Sequence, residues 1–436
     1  MKKLFYFTIA GLMTAVSCSK EDEPVKATSS FTVLVENVSE AKSYFQTGVF
    51  NTPVGDSAPG AATPGKSYQF SFDAGIGHYL SFSTMFVQSN DLFYAPADTG
   101  IQLFDSNGMP LTGDITSQIM LWDAGTEVNQ EPGVGMDQPP RQSAPDTGMA
   151  ENSTIKMISE VMDGYTYPAV SEAITVTLAY NGDNNFTLTI ENISSGSAVE
   201  TPLAPGVWLV HDANGQLFQS GSMASMGMER IAEDGDPTAM NENLSKDTGY
   251  FSPFAPGVFA VTPAGEMPLF GMGTADLGEG LESLAEDGDP SSLATALMSK
   301  SSVTESGAFN TPDGASAPGP LLPGNSYSFE FTASEGDNLS FATMLVQSND
   351  LFFSFGDTGI ALFNNGTPVS GDMTTNVSLW DAGTETNELP GAGSNQPLRQ
   401  TGTNTGEKEN GVVQIVNDNY IYPATNTMIR VTITPK

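Results

Sequence analysis

The chain writes much of itself twice. Leu121–Glu127 (LWDAGTE) returns letter for letter as Leu379–Glu385. Around it, Gly48–Pro53 (GVFNTP) matches Gly307–Pro312 (GAFNTP), Pro64–Tyr68 (PGKSY) matches Pro323–Tyr327 (PGNSY), and Val87–Phe93 (VQSNDLF) recurs as Val346–Phe352. The offset is 259 positions until the turn after Phe104 and Phe363. There the second copy is one residue shorter, with Asn364-Asn365 against Asp105-Ser106-Asn107, as a hairpin turn varies when its flanking strands are fixed. A repeat of this length means two copies of one folding unit. Loops drift unless something holds them, so the acid-rich LWDAGTE turn is the first place to look for a function.

The repeated segments have the period of strands. Tyr68, Phe70 and Phe72 alternate with polar residues, as do Tyr327, Phe329 and Phe331. Leu80-Phe82-Thr84-Phe86 pairs with Leu339-Phe341-Thr343-Leu345, and Ile174-Val176-Leu178 with Ile429-Val431-Ile433. Gly, Pro, Asn and Asp bound every run. Short strands without long helical periods predict an all-β protein of two antiparallel β-sandwich domains. An opening strand also appears twice, as Phe31–Asn37 (FTVLVEN) and Phe186–Asn192 (FTLTIEN). Taking each as the start of its own unit places domain 1 at 31–180 and domain 2 at 186–436. On that division the first unit is abbreviated, because two further paired strings fall only in the second. These are Ala204–Val207 with Ala255–Val258 (APGV), and Ala232–Pro237 with Ala285–Pro290 (AEDGDP). Leu281, Leu284 and Ala285 are spaced as a short helix ending at Gly288.

Charge narrows the function. With 51 Asp and Glu against 15 Lys and Arg, the net charge is −36, which repels phosphate backbones and excludes a nucleic-acid partner. It also disfavours direct docking on anionic lipid without a bridging divalent cation. At the N-terminus, Lys2 and Lys3 precede an apolar run from Leu4 to Val16, too short to span a bilayer. Ala15-Val16-Ser17-Cys18 follows, and Cys18 is the one cysteine of the chain. The pattern resembles a bacterial lipobox. Residues 1–17 are then a lipoprotein signal peptide, Cys18 the lipidated residue, and 18–30 an acidic linker. The protein is expected to be exported and lipid-anchored at the outer membrane or cell surface, touching the membrane through that lipid only. Without disulfides, folding must rest on core burial and on metal.

The opening FTVxVEN strand, LAEDGDP, LSFATMLVQSND and LWDAGTE, in that order, resemble the spondin N-terminal domain. The resemblance covers nearly everything after residue 30, in two copies. It implies an antiparallel sandwich that binds one calcium ion per domain through the Asp of a Ser-Pro-Asp string and both acids of an Asp-Ala-Gly-Thr-Asp string. Carried over, the ligands fall on Asp91, Asp123 and Glu127, and on Asp350, Asp381 and Glu385. Asn90 and Asn349 stand where the family often has Pro, and Glu127 and Glu385 where it has Asp. The chemistry is sound on its own terms. Calcium takes six to eight oxygen ligands in flexible geometry, and Gly125 and Gly383 let each turn curl so that its acids converge.

Other groups read more plainly. AEDGDP is better explained as a helix end with Gly and a following Pro than as a second ion site. Trp122 and Trp380, beside a turn, are expected in the core. Arg141 and Arg399 are expected to pair with nearby acids. His78 and His211 are the two histidines, and His78 aligns with Asp337, so neither is a shared working residue. No nucleophile elbow or phosphate-cradling loop is present in the sequence. The expected function is therefore calcium-dependent binding or adhesion without catalysis, toward an extracellular glycan or a matrix or surface protein. A carbohydrate-active enzyme using paired acids and a structural surface spacer are the alternatives.

Overall fold

The computed structural model describes Met1 and residues 26–436. The signal-peptide run and Cys18 lie outside the described residues. The protein is all-β, built as two antiparallel sandwiches with helices laid on one face of each.

In the first sandwich a four-stranded sheet runs in the order Ser67–Asp73, Asn185–Asn192, Ile174–Gly182, Gly113–Asp114. It faces a larger sheet ordered Tyr44–Phe50, Leu203–His211, Tyr79–Phe86, Leu92–Pro96, Ile119–Asp123, Lys156–Met157. Tyr68, Phe70, Phe72, Leu80, Phe82, Val176, Leu188 and Ile190 meet between them as one apolar core. The alternation seen in the sequence is the alternation of that core with solvent. The second sandwich repeats the plan: Tyr327, Phe329, Phe331, Leu339, Phe341, Val431 and Ile433 fill its interior.

Strand Tyr79–Phe86 is buried along nearly its whole length, on both faces. Its outer side is covered by two helices, Met226–Asp234 and Thr238–Lys246, whose Met228, Ile231, Ala232, Met240 and Leu244 form a second core with Phe93, Trp122 and Val207. Helices Leu281–Asp287 and Ser291–Ser299 do the same in the second sandwich. Each AEDGDP string is the joint of such a helix pair. Gly235 and Gly288 adopt φ of 65° and 68° at the C-caps, and Pro237 and Pro290 open the next helix.

The expected division at 31–180 and 186–436 is corrected by the strand pairing. FTLTIEN belongs to the first sandwich, where Phe186 opposes Phe72, Leu188 opposes Phe70 and Ile190 opposes Tyr68. FTVLVEN crosses to the second, where Thr28–Asn37 lies between Ser326–Ser334 and Ile429–Pro435. There Val33 opposes Phe329 on one side and Ile433 on the other. The physical reason is a turn. Strand Ile174–Gly182 reverses through Asp183 and Asn184, with φ of 48° and 64°, directly into Asn185. A two-residue turn of this kind can only pair adjacent strands, so FTLTIEN is committed to its neighbour. The second sandwich is left with a central gap that the start of the chain fills.

Two further expectations change with it. The first unit is not abbreviated, since APGV (Ala204–Val207) and AEDGDP (Ala232–Pro237) lie on the first sandwich, and each sandwich has one helix pair. The first sandwich is an insertion in the second, entered and left by adjacent connectors. Tyr44 N donates to Asp247 O (3.1 Å), and Gly249 N donates to Tyr44 O (3.0 Å). The strand also begins at Thr28, inside the segment taken as linker.

Removing Thr28–Asn37 strips Phe31, Val33 and Val35 from the second core, each worth about 1.5–3 kcal/mol of burial. That loss, roughly 5 kcal/mol or more, rivals the whole net stability of a domain. A fragment of residues 250–436 is therefore expected to lack a cooperative thermal transition and to regain one when a 26–39 peptide is added. Cooperative melting of the fragment alone, indifferent to the peptide, would contradict the pairing.

Candidate functional site

Asp91 and Asp123 sit at the ends of neighbouring strands, Leu92–Pro96 and Ile119–Asp123, where Leu92 opposes Asp123. The Ser89 hydroxyl fixes the approach, accepting from Leu92 N (3.1 Å) and donating to Phe86 O (2.6 Å). Past Asp123 the chain curls at Gly125, whose φ is 67° and whose missing Cβ would lie 2.8 Å from Thr154 O. The curl aims three donors at a single acceptor. Asp91 Oδ2 receives Thr126 N (2.7 Å), Thr126 Oγ1 (3.2 Å) and Glu127 N (3.1 Å). Asp123 Oδ1 accepts from Gly125 N (2.7 Å), and its Oδ2 accepts from Asn129 Nδ2 (2.7 Å).

Asp91 Oδ1 has no partner. The residue is 0% exposed, so this oxygen is a buried acceptor without a donor, a state that costs about 1–3 kcal/mol even for a neutral group. The second sandwich has the same fault in the same place. Asp350 Oδ2 receives Thr384 N (2.8 Å), Thr384 Oγ1 (3.2 Å) and Glu385 N (3.1 Å), while Asp350 Oδ1, also 0% exposed, receives nothing. Asp381 Oδ1 and Oδ2 accept from Gly383 N (2.7 Å) and Asn387 Nδ2 (2.9 Å). Burial, and after it the facing aspartate, pushes the carboxyls of Asp91 and Asp350 well above the usual carboxylate range. Burial also raises Asp123 and Asp381.

The third acid of each set behaves differently. Glu127 finds its hydrogen-bond partners outside the aspartate pair. Its Oε1 accepts from Gly148 N (2.7 Å) and its Oε2 from Asn90 Nδ2 (3.2 Å), and it shares a cluster with Asp146 and Glu233. Among the described residues that cluster is the one group of three acids whose oxygens all lie within 4.8 Å of one another. The set Asp91, Asp123 and Glu127 does not close so tightly. Glu385 Oε1 is another buried oxygen without a donor, and its neighbours in charge are Glu286 and Asp350.

Asn90 and Asn349 organise the loops. Asn90 Oδ1 accepts from Gln130 N (3.0 Å) and Gln138 Nε2 (3.1 Å), and Asn349 Oδ1 accepts from Glu388 N (2.9 Å). Sequence reasoning noted them only as replacements for Pro, and passed over Glu233 and Glu286, which project from the AEDGDP helices toward Thr126 and Thr384. The signal was the repeated string itself, weighed there as an ion site through its Asp-Gly-Asp and read instead as a helix end.

Trp122 and Trp380 are core residues, as expected, with Nε1 donating to Ala95 O and Ser354 O (3.3 Å each). The arginines correct their expectation. Among the described residues neither Arg141 nor Arg399 makes an ion pair. Arg141 bonds Gln88, Gln138 and Gly135 O, and Arg399 bonds Gln347, Gln396, Gly391 O and, from the first sandwich, Ile76 O. Among the described residues, uncharged oxygens take every hydrogen bond of the fork in both loops. No protein-family model matches the chain, and no curated protein matches it.

Raised carboxyl pKa values link the site to pH. Burial first, and Glu286 next, pushes Glu385 up to about 8, and burial pushes Glu233 up to about 7. The folded state then holds protons that the unfolded chain releases, so lowering pH favours folding. In chelator, the melting temperature should rise as pH falls from about 8 to 6.5. Below the ordinary histidine value of 6.5, His78 and His211, kept neutral by burial, begin to oppose it. A melting temperature that drops across that interval would contradict the carboxyl assignment.

Proposed function

We propose that the protein is a calcium-binding surface lipoprotein of two spondin-like sandwiches, acting in binding or adhesion rather than catalysis. The observation that carries this is the pair of orphaned oxygens, Asp91 Oδ1 and Asp350 Oδ1, buried at equivalent positions in both copies. A buried carboxylate facing a second carboxylate is stabilised by a cation. The donors around each pair are oxygens, without sulfur or imidazole, and such a set suits a hard ion such as calcium over a softer one. Asp91 and Asp123 in the first sandwich, and Asp350 and Asp381 in the second, would hold one ion each, with Glu127 and Glu385 on the same turns. The ion would supply the positive charge that lets each turn close.

Burial also argues against the enzyme alternative. Asp91, Asp123 and Asp350 are 0% exposed, which leaves no approach for a sugar ring to acids that would have to flank it. The one Ser–His hydrogen bond among the described residues, Ser81 Oγ to His211 Nε2 at 2.9 Å, is sealed in the interior, and His211 Nδ1 turns to a backbone carbonyl. An adhesive role fits a strongly acidic chain of two sandwiches preceded by the lipobox-like Cys18. The ligand it would meet is an extracellular glycan or a surface or matrix protein.

Asp123→Asn and Asp381→Asn test the assignment, because each removes one ligand charge with little change in size. Each is expected to remove one bound calcium, or weaken it by about tenfold or more, with additive effects since the sites lie in separate sandwiches. Calorimetric calcium titration of both single variants and the double variant reads this. Wild-type stoichiometry and affinity in the double variant would sink the proposal.

A further inference from the structure

We propose that the first sandwich binds a further divalent cation, between Glu127, Asp146 and Glu233, where the second sandwich has Asn404 in place of Asp146 and, four residues on, Lys408 in place of Ala150. This goes beyond the aspartate pairs and shares with them only the turn that bears Glu127.

Three observations carry it. The first is the cluster itself, three carboxylates with oxygens within 4.8 Å of one another. The second is that Glu233, a member of the cluster and only 4% exposed, has a buried oxygen, Oε2, that accepts no hydrogen bond. Glu127, Glu229 and Asp146, all negative, are the charged neighbours that most raise the Glu233 carboxyl after burial. Like charges so placed repel unless something positive sits between them.

The third observation is the contrast between copies. Asp146–Ala150 (DTGMA) corresponds to Asn404–Lys408 (NTGEK), a register fixed by the bridges Glu127 to Ala150 and Glu385 to Lys408. Asn404 therefore replaces Asp146, and Lys408 replaces Ala150. In the second sandwich these residues close the seam between loop and helix. Asn404 Nδ2 donates to Glu282 Oε1 (3.0 Å), and Lys408 Nζ lies 3.7 Å from the same carboxylate and offsets the charge around Glu286. The first sandwich has the same loop clasped to the same helix, with Gln142 Nε2 donating to Asp234 Oδ1 (3.1 Å) where Gln400 Nε2 donates to Asp287 Oδ1 (3.0 Å). It has no ammonium or amide at these two positions, and it adds a carboxylate instead. On this seam the second copy carries an amide and an ammonium where the first carries a third carboxylate and an alanine.

The ion would bind through carboxylate oxygens, with Asp146, on an exposed turn, giving it access from solvent. Gly148 N, which donates to Glu127 Oε1 from that turn, ties the exposed ligand to a buried one.

The test is a count of bound calcium on the full chain by equilibrium dialysis and elemental analysis. The wild type is expected to bind three ions, and Glu233→Gln and Asp146→Asn two. The variant Asp146→Asn with Ala150→Lys, which imports the second copy's pair, should also bind two. Its melting temperature in chelator should be higher than the wild type's, so that loss of the ion is separated from loss of the fold. A wild-type count of two that falls with Asp123→Asn and Asp381→Asn, and ignores Asp146→Asn and Glu233→Gln, overturns the third site and leaves the aspartate pairs standing. A count of one that is lost with Asp146→Asn does the reverse, and a count of zero overturns both.

Discussion

A two-residue turn decides how the chain is divided. Because Asp183 and Asn184 both adopt positive φ, strand Ile174–Gly182 folds straight back on Asn185–Asn192, and that pairing closes the first four-stranded sheet. Everything downstream follows from it. The strand that begins the second repeat in sequence is used up in the first sandwich. The second sheet can only be completed by Thr28–Asn37, and the first sandwich becomes an insertion held between the first strand and the rest of the second. If the chain is anchored at Cys18, the anchor leads directly into the middle of a sheet, bonded on both sides, rather than into an edge strand that could peel away.

The acidic ends of the sandwiches obey a different constraint. Strand ends converge at Asp91 and Asp123, and at Asp350 and Asp381, because the larger sheet pairs them there. The helices laid over that sheet by AEDGDP then exclude water from the same region and bring Glu233 and Glu286 down onto it. Burial and like charge add up, with protein donors to only part of each carboxylate. In stability terms these are unfavourable arrangements. They are what a cation site requires, because the protein must hold its ligands close in spite of their repulsion.

Much of this was legible in the sequence. The strands, their alternation, the turn glycines Gly125 and Gly383, the core tryptophans and the helix ending at Gly288 follow from local rules of period and backbone conformation. The partition was not legible. FTVLVEN and FTLTIEN have the same pattern of buried positions, so alternation cannot say which sheet each enters; only the length of the turn after Gly182 could have. Glu233 and Glu286 were hidden for a related reason. A string that stops a helix and a string that carries a buried acid were the same string, and the helix signal was the stronger. Asp146 lies on a loop whose place in space depends on Gln142 reaching the helix, a contact between residues 92 positions apart. The arginines misled because a positive charge in an acidic loop suggests an ion pair, whereas glutamine and backbone oxygens surround it.

The central claim is that the bare, buried oxygens of Asp91 and Asp350 are ion ligands. Crystals grown in calcium and measured at a wavelength where calcium scatters anomalously test it most directly. The account predicts an anomalous peak in bonding contact with Asp91 Oδ1 and another with Asp350 Oδ1. Water at both positions, or carboxyl groups rotated to find donors within the protein, would contradict it.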